Sequence, residues 1–466
     1  MQTVSELHIP SDDDDLGRPY WNAAIETMPL DEMRALQLRK LQAQVDYLYR
    51  HSALYQKKFD GAGFKPGDLK SLADLARIPF TTKQELRAGQ EVNPPFGLHQ
   101  AAPMDRIVRM TSTAGTTGTP VFQGYTKSDV ARRNESICRG LWGFGVRPGD
   151  RAINGFALSM FNAGVPFCTG IELLGAVDVP VGAERRAEGL LKVARDVKAT
   201  VFIGTPSFAA YLAEKAPEVL GMEARDLGFR VICGGGESGF ELPSFQREME
   251  RVWGTRHVYD WASTSDAHPN VFAHCIHRAG KHHLTPDLAL VQLIDPATGE
   301  LKDMGEGVEG EYIFTHLDRQ ACPLLRYRTG DILRVYTAPC ACGRTGFRMD
   351  IIGRSDDMLI IRGLNLFPAA VQSVIGGFMP KLTGKMQIVL RAPGPKVEPP
   401  LHVRVECNAG VDAKAEPGLG EAVEGKIRSD LGVTTVVEFL PFGTFERTAT
   451  KTKLVVIDPA ASGPAR

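Results

Sequence analysis

From about residue 105 the chain alternates short apolar runs with longer segments whose apolar residues recur every three or four positions. The runs at 151–157, 176–181, 199–204, 229–234 and 257–261 have the length and apolar texture of buried strands, and 189–199 and 206–216 between them have helical spacing. This alternation predicts an α/β fold with layered, mostly parallel sheets, because each helix carries the chain back across the sheet before the next strand. Upstream, residues 30–50 place Met33, Leu36, Leu41, Val45 and Leu48 at helical spacing with charges between them, which predicts a docking helix within a largely helical segment over 1–100. After residue 353 the texture changes. Residues 386–390, 401–407 and 434–440 read as strands and 421–431 as a helix, separated by Pro- and Gly-rich loops at 392–400 and 408–418. The expected organisation is a large body over 1–353 and a small α+β lid domain over 354–466, long enough to hold its own core.

Composition narrows the class. Lys plus Arg number 54 against 55 Asp plus Glu, so the basic excess of a nucleic-acid binder is missing. The most apolar window, 165–181, is broken by Glu172 and Asp178, which argues against a membrane span. The first residues lack a basic start followed by an apolar core and carry an acidic run at 12–15 instead, so a cytoplasmic protein with reduced thiols is expected.

Four segments carry candidate chemistry. In STAGTTGTP at 112–120, Ser112, Thr113, Thr116 and Thr117 alternate with Gly115 and Gly118, so hydroxyls and backbone N–H groups can surround phosphate oxygens; the same composition also suits a flexible linker. In RYRTGD at 326–331, Asp331 follows a glycine turn and can accept hydrogen bonds from two ribose hydroxyls. GRSDDMLIIRG, from Gly353 to Gly363, lies at the change of texture, and RTATKTK at 447–453 presents Lys451 in a cationic loop.

In this order the four segments resemble the adenylate-forming superfamily of acyl-CoA synthetases, and within it the phenylacetate–CoA ligase group, most closely at RSDDMLIIRGLNLFP over 354–368. The likeness runs from about residue 20 to 456, and FTTK at 80–83 fits it too. It implies a two-step reaction in which ATP and an acid give an acyl-adenylate and pyrophosphate, and the CoA thiol then displaces AMP. By position, Ser112 and Thr113 to Gly118 would hold phosphates, Gly235, Gly236 and Glu237 would line the adenine side, and Asp331 would bind ribose. Arg354 would reach the ribose–phosphate region and Lys451 the α-phosphate and carboxylate. Asp356 would be the hinge of the C-terminal unit, with the Gly363 loop facing a pantetheine channel. The resemblance favours an aromatic acid, phenylacetate- or benzoate-like, with ATP, CoA and Mg²⁺; it leaves room for a homodimer.

The chain departs from the family twice. Its phosphate loop ends Gly118-Thr119-Pro120 where the family has Gly-Lys-Pro. Where the family has Tyr-Gly-x-Ser-Glu, it has YDWASTSD at 259–266. With Tyr259 as the family tyrosine, a two-residue insertion makes Asp266 the metal-binding carboxylate; Asp260 is its rival, and without the insertion Ser263 takes the place of the glutamate.

Five cysteines, Cys138, Cys168, Cys233, Cys322 and Cys407, lie in apolar settings and read as core. Cys340 and Cys342 form a Cys-x-Cys turn about 65 residues after Cys275 and the pair His282–His283. Three cysteines and one histidine complete a closed tetrahedral zinc site, and some members of the resembled group carry one. Their spacing favours Cys275, His283, Cys340 and Cys342, with His282 the alternative and a metal-free hairpin the other reading. For the acid, Trp142, Phe144, Phe156, Met160 and Phe161 are pocket or core candidates, and Trp261 and His268 suit a polar or heterocyclic ring. Two other activities compete with aryl-acid–CoA ligation: loading an acyl group onto a carrier protein, and non-catalytic binding of a nucleotide by a zinc-stabilised homologue.

Overall fold

The structure is a computed structural model. It describes residues 17–113, 119–266, 268–269, 271–362, 364–412, 416, 418–445 and 453–458. Residues 115–118 of the phosphate loop, Gly363 and Lys451 lie outside the described residues.

The body is built on one sheet of 12 strands. Its first half is the parallel set foreseen from the alternation: Val177–Val179, Arg151–Asn154, Val201–Gly204, Val231–Gly235 and Val258–Ala262 lie side by side. Helices cover both faces, which is why these strands are apolar on both sides. Ile203, Cys233, Tyr259 and Trp261 pack on one face against Ile137, Leu141 and Trp142 of the helix Lys127–Gly143. Phe202, Ile232 and Val258 pack on the other against Leu190, Leu212 and Met249 of the helices Arg186–Asp196, Pro206–Leu220 and Pro243–Trp253.

Beyond Val258–Ala262 the sheet continues antiparallel, through Phe272–Ala273, Lys281–His283, Arg348–Arg354, Tyr327–Tyr336, Glu309–His316, Ala289–Ile294 and Leu301–Lys302. The helix Leu30–His51 buries Met33, Leu36, Leu41, Val45 and Leu48, as its pattern predicts, and Gln37 and Gln44 donate to the backbone oxygens of Pro286 and Arg319. The large sheet ends at Arg354, and a second core begins with Leu359. In that smaller unit Leu382–Leu390 pairs antiparallel with Leu401–Cys407, while Thr435–Leu440 and Val455–Ile457 add parallel edges and the helices Pro368–Gly376 and Leu419–Leu431 cover the sheet.

Trp261 is the tightest steric constraint beside the site. Its ring lies edge-on to Phe167 at 5.0 Å, and a Cβ added at Gly140 would sit 2.0 Å from it. Helix propensity alone makes Gly→Ala stabilising by ~1 kcal/mol. Overpacking against a fixed indole reverses that sign, so Gly140→Ala is expected to destabilise the protein by ~1–3 kcal/mol in denaturant unfolding; a stabilised variant would show that the indole yields.

Candidate active site and cysteine–histidine centre

The candidate site lies where the last parallel strand, Val258–Ala262, leaves the sheet. Strands Ile107–Ser112 and Phe122–Thr126 form a separate hairpin beside it, in register from Ser112 opposite Phe122. At the loop end of the hairpin Thr113 N donates to Val121 O at 3.0 Å, and Thr113 Oγ1 accepts from Val121 N at 3.0 Å. The phosphate loop therefore leaves and returns through one pinch point. The helix Lys83–Val92 braces its exit, with Arg87 and Gln90 donating to the oxygens of Thr119 and Pro120.

Two carboxylates face this region. Asp331 follows Gly330, whose φ of +77° only glycine adopts without strain, and a Cβ there would lie 2.9 Å from Arg354. Asp331 accepts from Thr264 Oγ1 at 3.1 Å and from Arg354, which also pairs with Asp356 at 2.8 Å. One hydrogen-bonded network thus joins Asp331, the turn after the last parallel strand and the junction between the units. Asp266 is buried; its Oδ2 accepts from Tyr327 at 2.8 Å and faces Lys83 at 3.3 Å. Its Oδ1 has no hydrogen-bond partner among the described residues. A buried, unpartnered carboxylate oxygen fits a hard divalent cation.

The rival carboxylate is committed elsewhere. Asp260 lies inside the strand and pairs with buried Lys281 at 2.8 Å, and Lys281 also reaches Asp350 at 3.3 Å. Tyr259 likewise belongs to the core and not to the nucleotide side. It stacks on Phe144 at 4.9 Å and bonds His257 Nδ1 at 2.8 Å. The expected role of Tyr259 in cofactor binding is therefore corrected, because the strand extends to Ala262 and turns Tyr259 inward. Gly235 packs so closely on Trp261 that a Cβ would meet its carbonyl oxygen at 1.8 Å, whereas Gly236 is exposed. Glu237 accepts from Ser207 N at 2.8 Å, at the start of the helix Pro206–Leu220. Trp142 and Phe144 are core, whereas Met160 and Phe161 are exposed and Met160 O accepts from Ser112 N at 2.9 Å.

On the far side of the antiparallel half, Cys275, His282, Cys340 and Cys342 place their ligand atoms within 4.8 Å of one another. The sulfurs of Cys275 and Cys340 are 3.7 Å apart, and Cys342 Sγ is 3.3 Å from His282 Nε2. Zn–S bonds of ~2.3 Å in a tetrahedron separate two sulfurs by ~3.8 Å, so this donor set fits a closed tetrahedral ion. His283, expected as the ligand, is not in the cluster. Successive strand residues face opposite sides, and His283 instead packs between Phe272 and Phe347, where burial lowers its pKa to about 3. The five cysteines read as core are all buried.

A family model for the AMP-binding enzyme C-terminal domain matches residues 363–458. A phenylacetate–coenzyme A ligase of Thermus thermophilus is 34% identical over 437 residues, covering 91% of this chain and 96% of that enzyme. The chain belongs to the phenylacetate–CoA ligase family. The family makes it an AMP-forming acid–thiol ligase of the adenylate-forming class. Among solved structures, 2-hydroxyisobutyryl-CoA ligase in its postadenylation state is 30% identical, with a TM-score of 0.87 over 97% of this chain and 94% of that one. The same enzyme in its thioesterification state gives 0.71 at 31% identity, over 97% of this chain and 94% of that one. Carrier-protein loading and a non-catalytic role find no support in these relatives.

Sequence reasoning missed Lys83, Thr264 and Tyr327. The signal for Lys83 was a capping box, Thr82 with Glu85, which starts its helix at Lys83, while Thr81 bridges to Tyr327. Asp260→Asn leaves Lys281 with the half-buried Asp350 at 3.3 Å and should destabilise the protein by ~3 kcal/mol, since breaking a buried pair weakens the compensation of a buried charge. Equilibrium unfolding at neutral pH measures this; an unchanged midpoint would mean that Asp350 alone suffices.

Proposed function

We propose that this chain joins a small aromatic carboxylic acid to CoA by way of an acyl-adenylate, releasing pyrophosphate and then AMP. The observation that supports this most is that Asp331 is bonded to Thr264 and Arg354, while two residues after Thr264 the buried Asp266 has an oxygen without a hydrogen-bond partner among the described residues. The activity named for its relatives, phenylacetate–CoA ligation, favours an aromatic acid. Phe156, Phe167 and Trp261 supply aromatic surface near Ser263–Asp266, with Phe156 and Phe167 5.8 Å apart.

In the first step a carboxylate oxygen attacks the α-phosphorus and the bond to pyrophosphate breaks. Asp331 accepts the ribose hydroxyls, Arg354 steadies the ribose–phosphate side, and Ser112 and Thr113, with the loop residues after them, receive phosphate oxygens. Mg²⁺, when bound, would neutralise phosphate charge, with Asp266 as its protein ligand. Lys451 would stabilise the charge that builds as the α-phosphorus is attacked. In the second step the CoA thiolate attacks the acyl carbon and AMP leaves. Turning the small domain about Asp356 would replace Lys451 by the Gly363 loop; the closer likeness to a postadenylation state than to a thioesterification state supports such a pair of arrangements. A zinc ion on Cys275, His282, Cys340 and Cys342 would be structural, because four protein ligands leave no open position.

The reading is tested by ATP–pyrophosphate exchange and CoA-thioester formation over a panel of aromatic acids. Lys451→Ala is expected to slow exchange by roughly 10²–10³-fold while thioester formation from a supplied acyl-adenylate is largely kept. Asp266→Asn should raise the Mg²⁺ requirement, with Asp266→Glu less affected. Equal loss in both half-reactions would sink the two-step assignment of Lys451.

Metal analysis should find about one zinc per chain, as one closed site requires. Cys340→Ser and His282→Ala should lose the metal and lower the melting temperature, while His283→Ala keeps the metal. Loss of zinc on His283→Ala alone would reverse the choice of histidine.

A further inference from the structure

The helix Lys127–Gly143 carries a buried guanidinium with few partners. Arg133 is 1% exposed, and among the described residues its Nε and Nη1 have no hydrogen-bond partner. Its Nη2 donates only to the backbone oxygen of Asn162. No carboxylate among the described residues forms an ion pair with it. A second guanidinium, Arg319, also lies against the ring of Tyr125. Its Cζ is 3.9 Å from the tyrosine ring centre, and that of Arg133 is 5.1 Å away. The carboxylate that pairs with Arg319, Asp129, is 3.8 Å away and already accepts from the backbone nitrogens of Thr126, Gln320 and Ala321. The neighbouring histidines add no negative charge, and burial holds His268 and His316 neutral. Among the described residues, the two guanidiniums over Tyr125 thus have one ion-pair partner between them, an arrangement that is costly unless something completes it.

The position of this excess charge points to the substrate. Asn162 links Arg133 to the site: its Nδ2 donates to Ser265 O at 2.6 Å, one residue before Asp266, and its Oδ1 accepts from Tyr125 at 3.1 Å. Tyr125 in turn accepts from Thr111 at 3.2 Å, on the hairpin strand that leads into the phosphate loop. Arg133 thus lies under the meeting point of the phosphate hairpin, the loop carrying Phe161 and Asn162, and the Ser263–Asp266 turn. The reacting carboxylate of any acid must be placed at the α-phosphate, so it is not available to a guanidinium beneath Asn162.

We propose that Arg133 recognises a second, anionic oxygen group on the acid, so that the preferred substrates are aromatic dicarboxylic acids. This rests on the ligase reading above and narrows its substrate class. A carboxylate against Nε would satisfy that orphaned donor and neutralise the guanidinium, while Nη1, on another edge, is not reached by the same group. Tyr125 and Arg319 would position the guanidinium without touching the substrate.

The test compares benzoate and phenylacetate with phthalate, isophthalate and terephthalate in ATP–pyrophosphate exchange, with wild type, Arg133→Met and Arg133→Lys. At least one diacid should exceed the best monoacid in kcat/KM by about tenfold or more. Arg133→Met should lower the diacid-to-monoacid ratio by at least about tenfold, and Arg133→Lys should fall between. Monoacids preferred by wild type, or both classes reduced equally by Arg133→Met, would overturn the proposal. Thermal shift with the diacids alone gives a second readout. A diacid that stabilises wild type but not Arg133→Met supports the role, and one that stabilises neither, or both equally, overturns it. Exchange with no acid of either class would fail the ligase reading itself, and the thermal shift would still decide the role of Arg133.

Discussion

The large sheet changes direction at Val258–Ala262, and a buried ion pair holds that seam. On one side lie four strands parallel to it, on the other seven joined antiparallel. Asp260 in the seam strand and Lys281 two strands away approach to 2.8 Å at almost no solvent exposure, with Asp350 as a third member. A pair of this kind contributes little net energy compared with an apolar substitute, but losing one partner is expensive. Its effect is positional. It fixes the register in which the strand must end, and so the place where Ser263–Asp266 turns out of the sheet.

The same logic recurs around the site. Arg139, buried in the helix Lys127–Gly143, pairs with Asp287 at 2.6 Å and Glu135 at 3.2 Å, and Glu135 also accepts from Trp21 at 2.7 Å. Arg344 pairs with Glu26 at 2.7 Å, so the chain from Trp21 to Glu26 is tied to the loop that carries Cys340 and Cys342. Arg139, Arg344 and Lys281 are thus each matched with carboxylates, whereas Arg326 and Arg348 are met by backbone oxygens. Arg133 differs: among the described residues it forms no ion pair, and two of its three nitrogens have no hydrogen-bond partner. The cysteine–histidine cluster lies beyond the seam from the nucleotide side, which suits a structural part: it would brace the antiparallel half that carries Asp331.

The amino-acid pattern by itself determined the elements. Period-two and continuous apolar runs, the helical face at 30–50 and the change of texture after residue 353 report local burial, and local burial is a property of adjacent residues. Spaced motifs likewise named Asp331, Arg354 and the cysteines, because glycine turns and Cys-x-Cys spacing are local. Tertiary structure alone decided between neighbours. Asp266 or Asp260, His282 or His283, and Tyr259 in the site or in the core differ only in which way a side chain points and where a strand ends. A strand reverses its facing at every residue, so an error of one position sends a ligand into the core. Arg133 shows the other limit. Nothing in its sequence neighbourhood marks it, since the absence of a partner is a fact about residues 30 to 190 positions away that only the folded chain brings together.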